Sequence, residues 1–199
     1  MVADNRGRTT EEALIYVTGF AGFAPVESKN VIDKAKLGAK TVTVPDGFRY
    51  LGLRTDDGGP EYELEAGDAI EFLEQGFEIS GDGSASVKMT LAQYNAVVQE
   101  LLYGAKPDGN GVVEGSLAAP DTPMILLLEA QYKSGRIIRR EGVAKVSEFV
   151  LPKDERNTTG GTEVTFKWLP HELFNMKPFW EAIVADGGST AVDTPSSGS

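Results

Sequence analysis

The stretch GSASVKMTLAQYNAVVQELLYG, Gly83 to Gly104, decides the fold because its hydrophobic period changes halfway along. In its first half apolar residues alternate with polar ones: Ala85, Val87, Met89 and Leu91. This alternation is typical of a strand with one buried face. From Leu91 onward the apolar residues recur at helical spacing, and Gly104 stands where helices commonly end. The sequence therefore predicts a strand that runs straight into a helix over about residues 91–103.

The composition favours a single, mainly β domain. A chain of 199 residues is long enough for one substantial core and short for two ordinary domains. Its 23 glycines and 10 prolines supply many turns, and the run MILLLEAQY has the pattern of a strand buried on both sides for part of its length. We expect residues 14–186 to form the domain, residues 1–13 a flexible N-terminal arm, and residues 187–199 a disordered C-terminal tail.

Several absences in the sequence narrow the classes of function. Cysteine is absent, which excludes disulfides, thiolate metal sites and cysteine nucleophiles. No apolar run approaches the roughly 18 residues of a membrane span, and the start MVADNRGRTTEEA lacks the apolar core of a signal peptide. We therefore expect a protein that is made and kept in a cytoplasm and does not bind membranes.

The formal net charge of -11 argues against a protein that binds nucleic acid through its phosphates. Such binding needs clustered lysine and arginine against the phosphates, and a duplex would be repelled by this chain at long range. The charge is compatible with a protein that lies close to DNA without sticking to it.

The acidic segment, at about residues 55–76, is the most unusual region of the sequence. No lysine or arginine occurs between Arg54 and Lys88. The segment comprises Asp56, Asp57, Glu61, Glu63, Glu65, Asp68, Glu71 and Glu74. Like charges at this density resist compaction, but Tyr62 and Leu64 are interspersed among them. We therefore predict a long loop or arm that meets a partner.

The residues just after the acidic segment allow two local structures. A three-residue loop at 81–83 would form a hairpin with Ile79 opposite Ala85 and Phe77 opposite Val87, which keeps one face apolar. One kinked continuous strand would keep the same face apolar. Both structures place Phe77 and Ile79 on the side of the core.

No catalytic or metal-binding constellation is visible in the sequence. His171 is the only histidine and has no second ligand or nucleophile nearby, so it is predicted to be structural. The carboxylates of the acidic segment do not match the spacing of a calcium loop. The glycines at 109–111 and 160–161 lack the lysine and the helix of a phosphate cradle. We therefore predict a protein that is not an enzyme and needs no cofactor.

An ordered series of motifs carries a family resemblance. VTGFAGFAPV is followed by FRYLGLRTDDG, the acidic segment and an alternating strand. QYNAVVQELLYG, the hairpin RIIRREGVAKVSEFVL and the strand TEVTFKWL complete the order. The series, over about residues 14–186, resembles the major tail protein, the tail tube subunit, of long-tailed siphovirus-type bacteriophages of actinobacteria. QYNAVVQELLYG is similar to the family's helix, which closes in Tyr-Tyr-Gly or a close variant.

The resemblance implies a fold and an assembly. The fold would be a β-sandwich or partial barrel with one packed α-helix, whose strands complete a shared β-barrel in a hexameric ring. Stacked rings would form the tail tube through which DNA is delivered. We therefore expect the protein in the virion tail, after assembly in the host bacterial cytoplasm. Its expected partners are copies of itself, a tape-measure protein in the lumen, and the tail terminator and baseplate or tip proteins, while DNA passes without sticking.

The resemblance also implies roles for two sets of residues. Polar residues of the alternating strands would face the lumen: Glu78, Ser80, Ser84, Ser86, Lys88, Thr90, Glu163, Thr165 and Lys167. The acidic segment would meet a basic patch on an adjacent subunit or ring, drawn from Lys29, Lys34, Lys36, Lys40, Arg136, Arg139 and Arg140. Six copies at -11 each give -66 per ring, a charge that would repel passing DNA.

Two other functions stay open at this point. Another β-rich virion component, such as a neck, tail-completion or decoration protein, would share the β character and the acidity. A small-ligand-binding barrel of the lipocalin type would hold Phe166 and Trp168 inside a cavity. In a tail tube subunit or another virion component, Phe166 and Trp168 are instead expected in the core.

Overall fold

The computed structural model describes residues 14–71, 78–115, 120–152 and 160–184, and these form a mainly β protein with 48% strand and 12% helix. The strands are β1 (Tyr16–Pro25), β2 (Arg49–Tyr50), β3 (Glu61–Glu71), β4 (Glu78–Leu91), β5 (Met124–Tyr132), β6 (Ile137–Val150), β7 (Thr162–Leu169) and β8 (Phe179–Val184). The helices are α1 (Lys34–Leu37), α2 (Ala96–Tyr103) and two 3-10 turns at Ser28–Asn30 and Glu172–Phe174. The predicted arm 1–13 and tail 187–199 lie outside the described residues.

All eight strands belong to one antiparallel sheet, in the order β2-β1-β5-β6-β7-β4-β3, with β8 paired to β6. Strands β7 and β8 lie end to end along the same edge of β6, against residues 143–150 and 137–142 respectively. The chain leaves that edge between them and forms the 3-10 turn Glu172–Phe174. This excursion puts Phe174 into a buried apolar cluster.

The chain between β2 and β3 ties the two margins of the sheet together. β2 pairs with β1, and four residues further on Arg54 forms a bridge with Leu91 at the end of β4. The backbone N–H of Thr55 donates to the carbonyl of Thr90 at 3.1 Å, and that of Ala92 donates to the carbonyl of Leu53 at 2.8 Å. Residues 51–55 therefore connect β1, at one side of the sheet, with the end of β4 at the other.

The main core lies on the inner face of this sheet. Its large members include Phe23, Leu51, Val87, Met89, Leu91, Leu126, Leu128, Val146, Val164, Phe166 and Trp168. Helix α2 contributes Val98, Leu101 and Leu102 to the same cluster. Burial at these alternate positions of β4 and β7 is the expected outcome of their strand periodicity. The prediction that Phe166 and Trp168 are core residues is confirmed.

The helix is shorter than the predicted 91–103. Leu91 remains in β4, and α2 begins at Ala96 because the side chain of Asn95 accepts hydrogen bonds from the N–H groups of Val97 and Val98 at 3.0 and 3.1 Å. Residues 92–95 therefore separate strand from helix, which corrects the predicted direct junction. Gly104 ends the helix in the left-handed conformation, with φ at 71°.

A second apolar cluster covers part of the outer face of the sheet. Residues 26–48 and the 3-10 turn Glu172–Phe174 pack against β1, β5 and β6 there. The buried members are Ala24, Ile32, Leu37, Phe48, Ile125, Leu127, Val143 and Phe174. Strand β5 is consequently buried on both faces from Met124 to Glu129, as its apolar run predicts.

Residues 78–91 form one strand, so the alternative of a hairpin at 81–83 is wrong. The pairing of β3 with β4 shifts register on either side of Gly67, which lies opposite Gly81. The strands approach so closely here that a Cβ on Gly81 would stand 2.1 Å from the carbonyl oxygen of Asp68. Residues 72–77, which include Phe77, lie outside the described part, and the side chain of Ile79 is not described either.

Candidate assembly surface

The hairpin of β3 and β4 extends beyond the rest of the sheet. Strand β7 pairs with β4 only at residues 86–91, so residues 78–85 of β4 have β3 as their one neighbouring strand in the described structure. On its other edge, β3 has no strand partner among the described residues. A two-stranded ribbon is only marginally stable alone in water, and an open strand edge is a template for pairing with another chain. The hairpin is therefore a candidate contact with a second molecule.

The acidic segment forms the first strand of this hairpin, so it is an arm with regular structure. Glu61, Glu63 and Glu65 occupy alternate positions of β3 and share one face, opposite Lys88, Ser86 and Ser84 respectively. The hydroxyl of Ser84 donates to Glu65 at 3.2 Å. Because each glutamate faces a cation or a hydroxyl on β4, the carboxylates coexist within one strand.

The other acidic residues are spread around this strand. Asp56 and Asp57 lie in the exposed turn before β3, where the hydroxyl of Thr55 donates to Asp57 at 3.1 Å. Asp68 is exposed on β3, and Glu71 pairs through its backbone with Glu78. Glu74 lies outside the described residues. The predicted segment therefore comprises a turn and a strand that continue into each other.

The opposite face of β3 carries Tyr62 and Leu64. Leu64 is 72% exposed, although it lies opposite the buried Ala85. The guanidinium of Arg140 lies over the ring of Tyr62, 3.9 Å from its centroid, and bonds to Glu181 at 2.5 Å. Burial raises the pKa of the Tyr62 hydroxyl, and the nearby Arg140 offsets this rise only in part. Tyr62 thus contacts Arg140 of the same chain, whereas Leu64 is an exposed apolar side chain.

Polar residues of β3, β4, β7 and the end of β6 form one continuous surface, here called the polar face. One row across the four strands is Glu61, Lys88, Thr165 and Glu148; the next is Glu63, Ser86, Lys167 and Lys145. The ammonium of Lys88 lies 3.0 Å from the carboxylate of Glu163, and this hydrogen bond raises the pKa of Lys88. Five carboxylates, Glu61, Glu63, Glu65, Glu148 and Glu163, stand on the face against three lysines, so its charge is net negative.

The polar face brings together two sets of residues that the sequence analysis treats separately. It contains each predicted lumen-facing residue whose side chain is described: Ser84, Ser86, Lys88, Thr90, Glu163, Thr165 and Lys167. Glu78 and Ser80 belong to β4, but their side chains lie outside the description. The glutamates of β3 share this face, and so do Lys145 and Glu148, which sequence reasoning missed. A register shift in β6 between Val146 and Glu148 obscures their alternation.

Arg139 has to be removed from the predicted basic patch. It is buried on the outer face of β6, where its Nε donates to Oε2 of Glu129 at 2.6 Å. Its Nη1 donates to the carbonyls of Leu37, at 3.0 Å, and Ala39, and its Nη2 donates to that of Lys40 at 3.1 Å. Arg139 is therefore fully engaged within its own chain. Arg140 is also bound internally, to Glu181 and Tyr62.

The four predicted lysines lie together on the segment that crosses the outer face. Lys29 is exposed and pairs with Glu27 at 2.6 Å, and Lys34 lies 5.9 Å from the ring centroid of Trp180. Lys36 and Lys40 are exposed nearby, whereas Arg136 lies separately in the turn before β6. The lysine segment covers β1, β5 and the start of β6, so it stands on the opposite half of the outer face from the polar face.

The remaining candidates from the sequence are the single histidine, a metal site and a membrane-spanning segment. The Nδ1 atom of His171 accepts the backbone N–H of Leu173 at 3.2 Å and caps the 3-10 turn, which supports its structural interpretation. In the described residues no three carboxylate or imidazole side chains are grouped so that they could hold a metal ion. None of the described helices is long and apolar enough to cross a membrane.

Comparison with models of protein families gives no match, and no curated protein matches the sequence.

Proposed function

We propose that this protein is a structural virion protein that self-assembles into stacked hexameric rings and forms the tail tube of a long-tailed bacteriophage, through which DNA is delivered. The observation that carries the proposal is the β3–β4 hairpin, which extends beyond its own sheet with an open edge. The order of sequence motifs described above supports the same assignment.

The hairpin makes the sheet of one subunit incomplete. Residues 78–85 of β4 and the free edge of β3 leave backbone donors and acceptors without strand partners in the described chain. Closed rings satisfy such edges, because each copy pairs its edge with the next copy around an axis. A neighbouring copy would also cover Leu64.

The polar face has the properties that a DNA conduit needs. It spans four adjacent strands, carries more carboxylates than ammonium groups, and is left uncovered by the segment that packs on the other half of the sheet. A net negative wall repels phosphate, so DNA would pass without binding. In this proposal the polar face lines the lumen.

The distribution of charge supports head-to-tail contacts. The acidic turn before β3, with the exposed Asp56 and Asp57, and the lysine segment lie on separate parts of the chain, so one copy can present acid where the next presents base. Contacts between unlike surfaces close into rings or grow without a fixed end. A tape-measure protein in the lumen would set the length, and terminator and baseplate proteins would bind the two ends.

An apolar strip at the start of β1 offers further contact area. Leu14, Ile15, Tyr16 and Val17 are consecutive and each is about half exposed or more, from 48% to 60%. Consecutive exposed apolar residues of this kind mark interaction surfaces on otherwise polar proteins.

Negative-stain electron microscopy of the purified, concentrated protein tests the proposal. Tubes or stacked rings are the expected result, and the triple variant Glu61→Lys, Glu63→Lys, Glu65→Lys should abolish them while the monomer stays folded. A control is Glu114→Lys, Glu172→Lys, which reverses two exposed carboxylates that lie on neither β3 nor the lysine segment. Single rings that never stack would favour a neck or tail-completion protein. A solitary globule at every concentration would refute the assembly.

A further inference from the structure

Residues 31–44, here called the strap, cross the outer face of the sheet. The strap contains α1 and buries Ile32 and Leu37 in the outer apolar cluster. It follows Asn30, which is itself buried and donates through its side chain to the carbonyl of Pro25 at 2.9 Å. Two charged residues of β6 form hydrogen bonds to the strap: Glu141 to its first half and Arg139 to its second half.

Arg139 fixes the second half of the strap. It donates to the carbonyls of three residues between Leu37 and Lys40, and its charge is balanced by Glu129 on β5. A guanidinium with this many partners is a permanent attachment, because arginine does not lose its proton at any ordinary pH.

Glu141 fixes the first half of the strap through a single contact. Its Oε1 accepts the backbone N–H of Ile32 at 3.0 Å, while its Oε2 is buried with no hydrogen-bond partner. The side chain is fully buried and lies in register with Leu127 of β5 and Trp180 of β8. Its carboxyl is therefore held in an apolar site with one donor.

Among the described residues, no neighbouring cation is paired with Glu141. Arg139, two residues along the same face of β6, is paired with Glu129, and the ammonium of Lys34 on the strap lies over the ring of Trp180. The 3-10 turn contributes Phe174 to this cluster, whereas its Glu172 is exposed. Burial consequently raises the pKa of Glu141 to about 7, and the N–H of Ile32 lowers it only in part.

A cavity lies beside Ile32, the residue whose N–H donates to Glu141. A cavity of about 260 Å³ lies between the strap and the sheet, lined by Phe20, Ile32, Val42, Val44, Leu127 and Arg139 among others. Ile32, whose N–H donates to Glu141, therefore borders on open space on one side.

We propose that Glu141 is a proton-controlled latch: residues 31–36 are docked on the sheet while its carboxyl is protonated, and they lift when it ionises. A bare carboxylate in this site has one donor for two oxygens, and lifting lets water solvate it. Arg139 keeps residues 37–40 attached, so the opening stays local. The proposal rests on this part of the subunit alone and is independent of the function proposed above.

Hydrogen exchange of the full chain tests the latch. After correction for the intrinsic pH dependence of exchange, the amides of residues 32–37 should exchange about tenfold faster at pH 8 than at pH 6, because each unit of pKa difference is a factor of ten. Amides of β5 and β6 should keep their protection. Glu141→Gln should remove the increase, whereas Glu148→Gln, an exposed carboxylate of the same strand, should retain it.

A second measurement covers the case in which Glu141→Gln does not fold. In the wild-type protein the Glu141 carboxyl carbon, followed by NMR, should titrate at the same pH as the change in exchange. An equal increase in Glu141→Gln would overturn the proposal. So would a parallel loss of protection throughout β5 and β6, or a carboxyl titration far from the exchange midpoint.

Discussion

Arg139 and Glu129 form a buried ion pair directly across β6 and β5, with Nε 2.6 Å from Oε2. Both side chains lie beneath the strap, and the amide of Gln131 donates to the other oxygen of Glu129 at 2.8 Å. The pair therefore joins two central strands to the segment that covers them. Its energetic value depends on the carbonyls of the strap that complete the guanidinium's hydrogen bonds.

Arg139→Met should destabilise the protein by about 3–5 kcal/mol, because it leaves the Glu129 carboxylate buried without its cation. Urea unfolding followed by circular dichroism measures this. The double variant Arg139→Met, Glu129→Leu should recover most of the loss, since it removes both charges together. A single variant within about 1 kcal/mol of wild type would show that the pair is dispensable.

The stability of the folded chain should fall as the pH rises from 6 to 8. The folded-state pKa of Glu141, about 7, lies above its ordinary value of 4.5, so the folded state binds this proton more tightly. Its contribution is complete below pH 4.5 and is lost as the pH rises through 7. The loss between pH 6 and pH 8 is about 1.4 kcal/mol.

Urea midpoints of wild type and Glu141→Gln at pH 6 and pH 8 check this prediction. The variant should lack the decrease attributed to Glu141, because an amide does not titrate. If both proteins lose the same stability over this range, another group is responsible.

Gly81→Val should prevent tube formation and leave the rest of the sheet folded. A Cβ at this position would meet the carbonyl of Asp68 at 2.1 Å, so the strands of the hairpin have to separate where it extends beyond the sheet. The melting temperature, which depends on the buried core, should change little. Gly59→Ala serves as the control, since its added methyl group meets nothing within 4 Å. Tubes of normal appearance from Gly81→Val would contradict an assembly role for the hairpin.

Ring assembly should weaken with salt if the acidic turn of Asp56 and Asp57 meets the lysine segment of a neighbour. Raising the salt from about 0.1 M to about 1 M shortens the screening length from about 10 Å to about 3 Å, which weakens contacts between exposed charges. Sedimentation velocity should show fewer large particles at high salt. Unchanged sedimentation would indicate that apolar residues such as Leu64 and the β1 strip dominate the contact.

Local periodicity predicts much of the inner half of this structure. Alternation identifies the buried sides of β4 and β7, including Val87, Phe166 and Trp168, because a strand has a period of two. The helical stripe and Gly104 predict α2 and its end. The predicted start of the helix at residue 91 is wrong. The hydrophobic spacing extends back to Leu91, but the Asn95 cap begins the helix at Ala96.

The positions of Arg139 and Glu141 are not predicted from the sequence. In RIIRREGVAKVSEFVL these residues belong to the charged run Arg139-Arg140-Glu141, which has the composition of a solvated segment. They become buried because residues 26–48, about a hundred positions earlier, cover the outer face of the sheet, and because β8 pairs beside them. The second apolar layer depends on contacts between segments far apart in sequence, so local sequence patterns do not predict it.

The sequence by itself determined which residues turn inward along β4 and β7, the net negative charge, and the absence of cysteine chemistry, since these follow from residue type and spacing. The tertiary structure alone decided that the acidic strand joins β4 in an extended hairpin, that its glutamates share a face with Lys88 and Glu163, and that Arg139 lies inside. Such placements depend on strand pairing and register between distant segments, whose energies arise only when the chain is brought together.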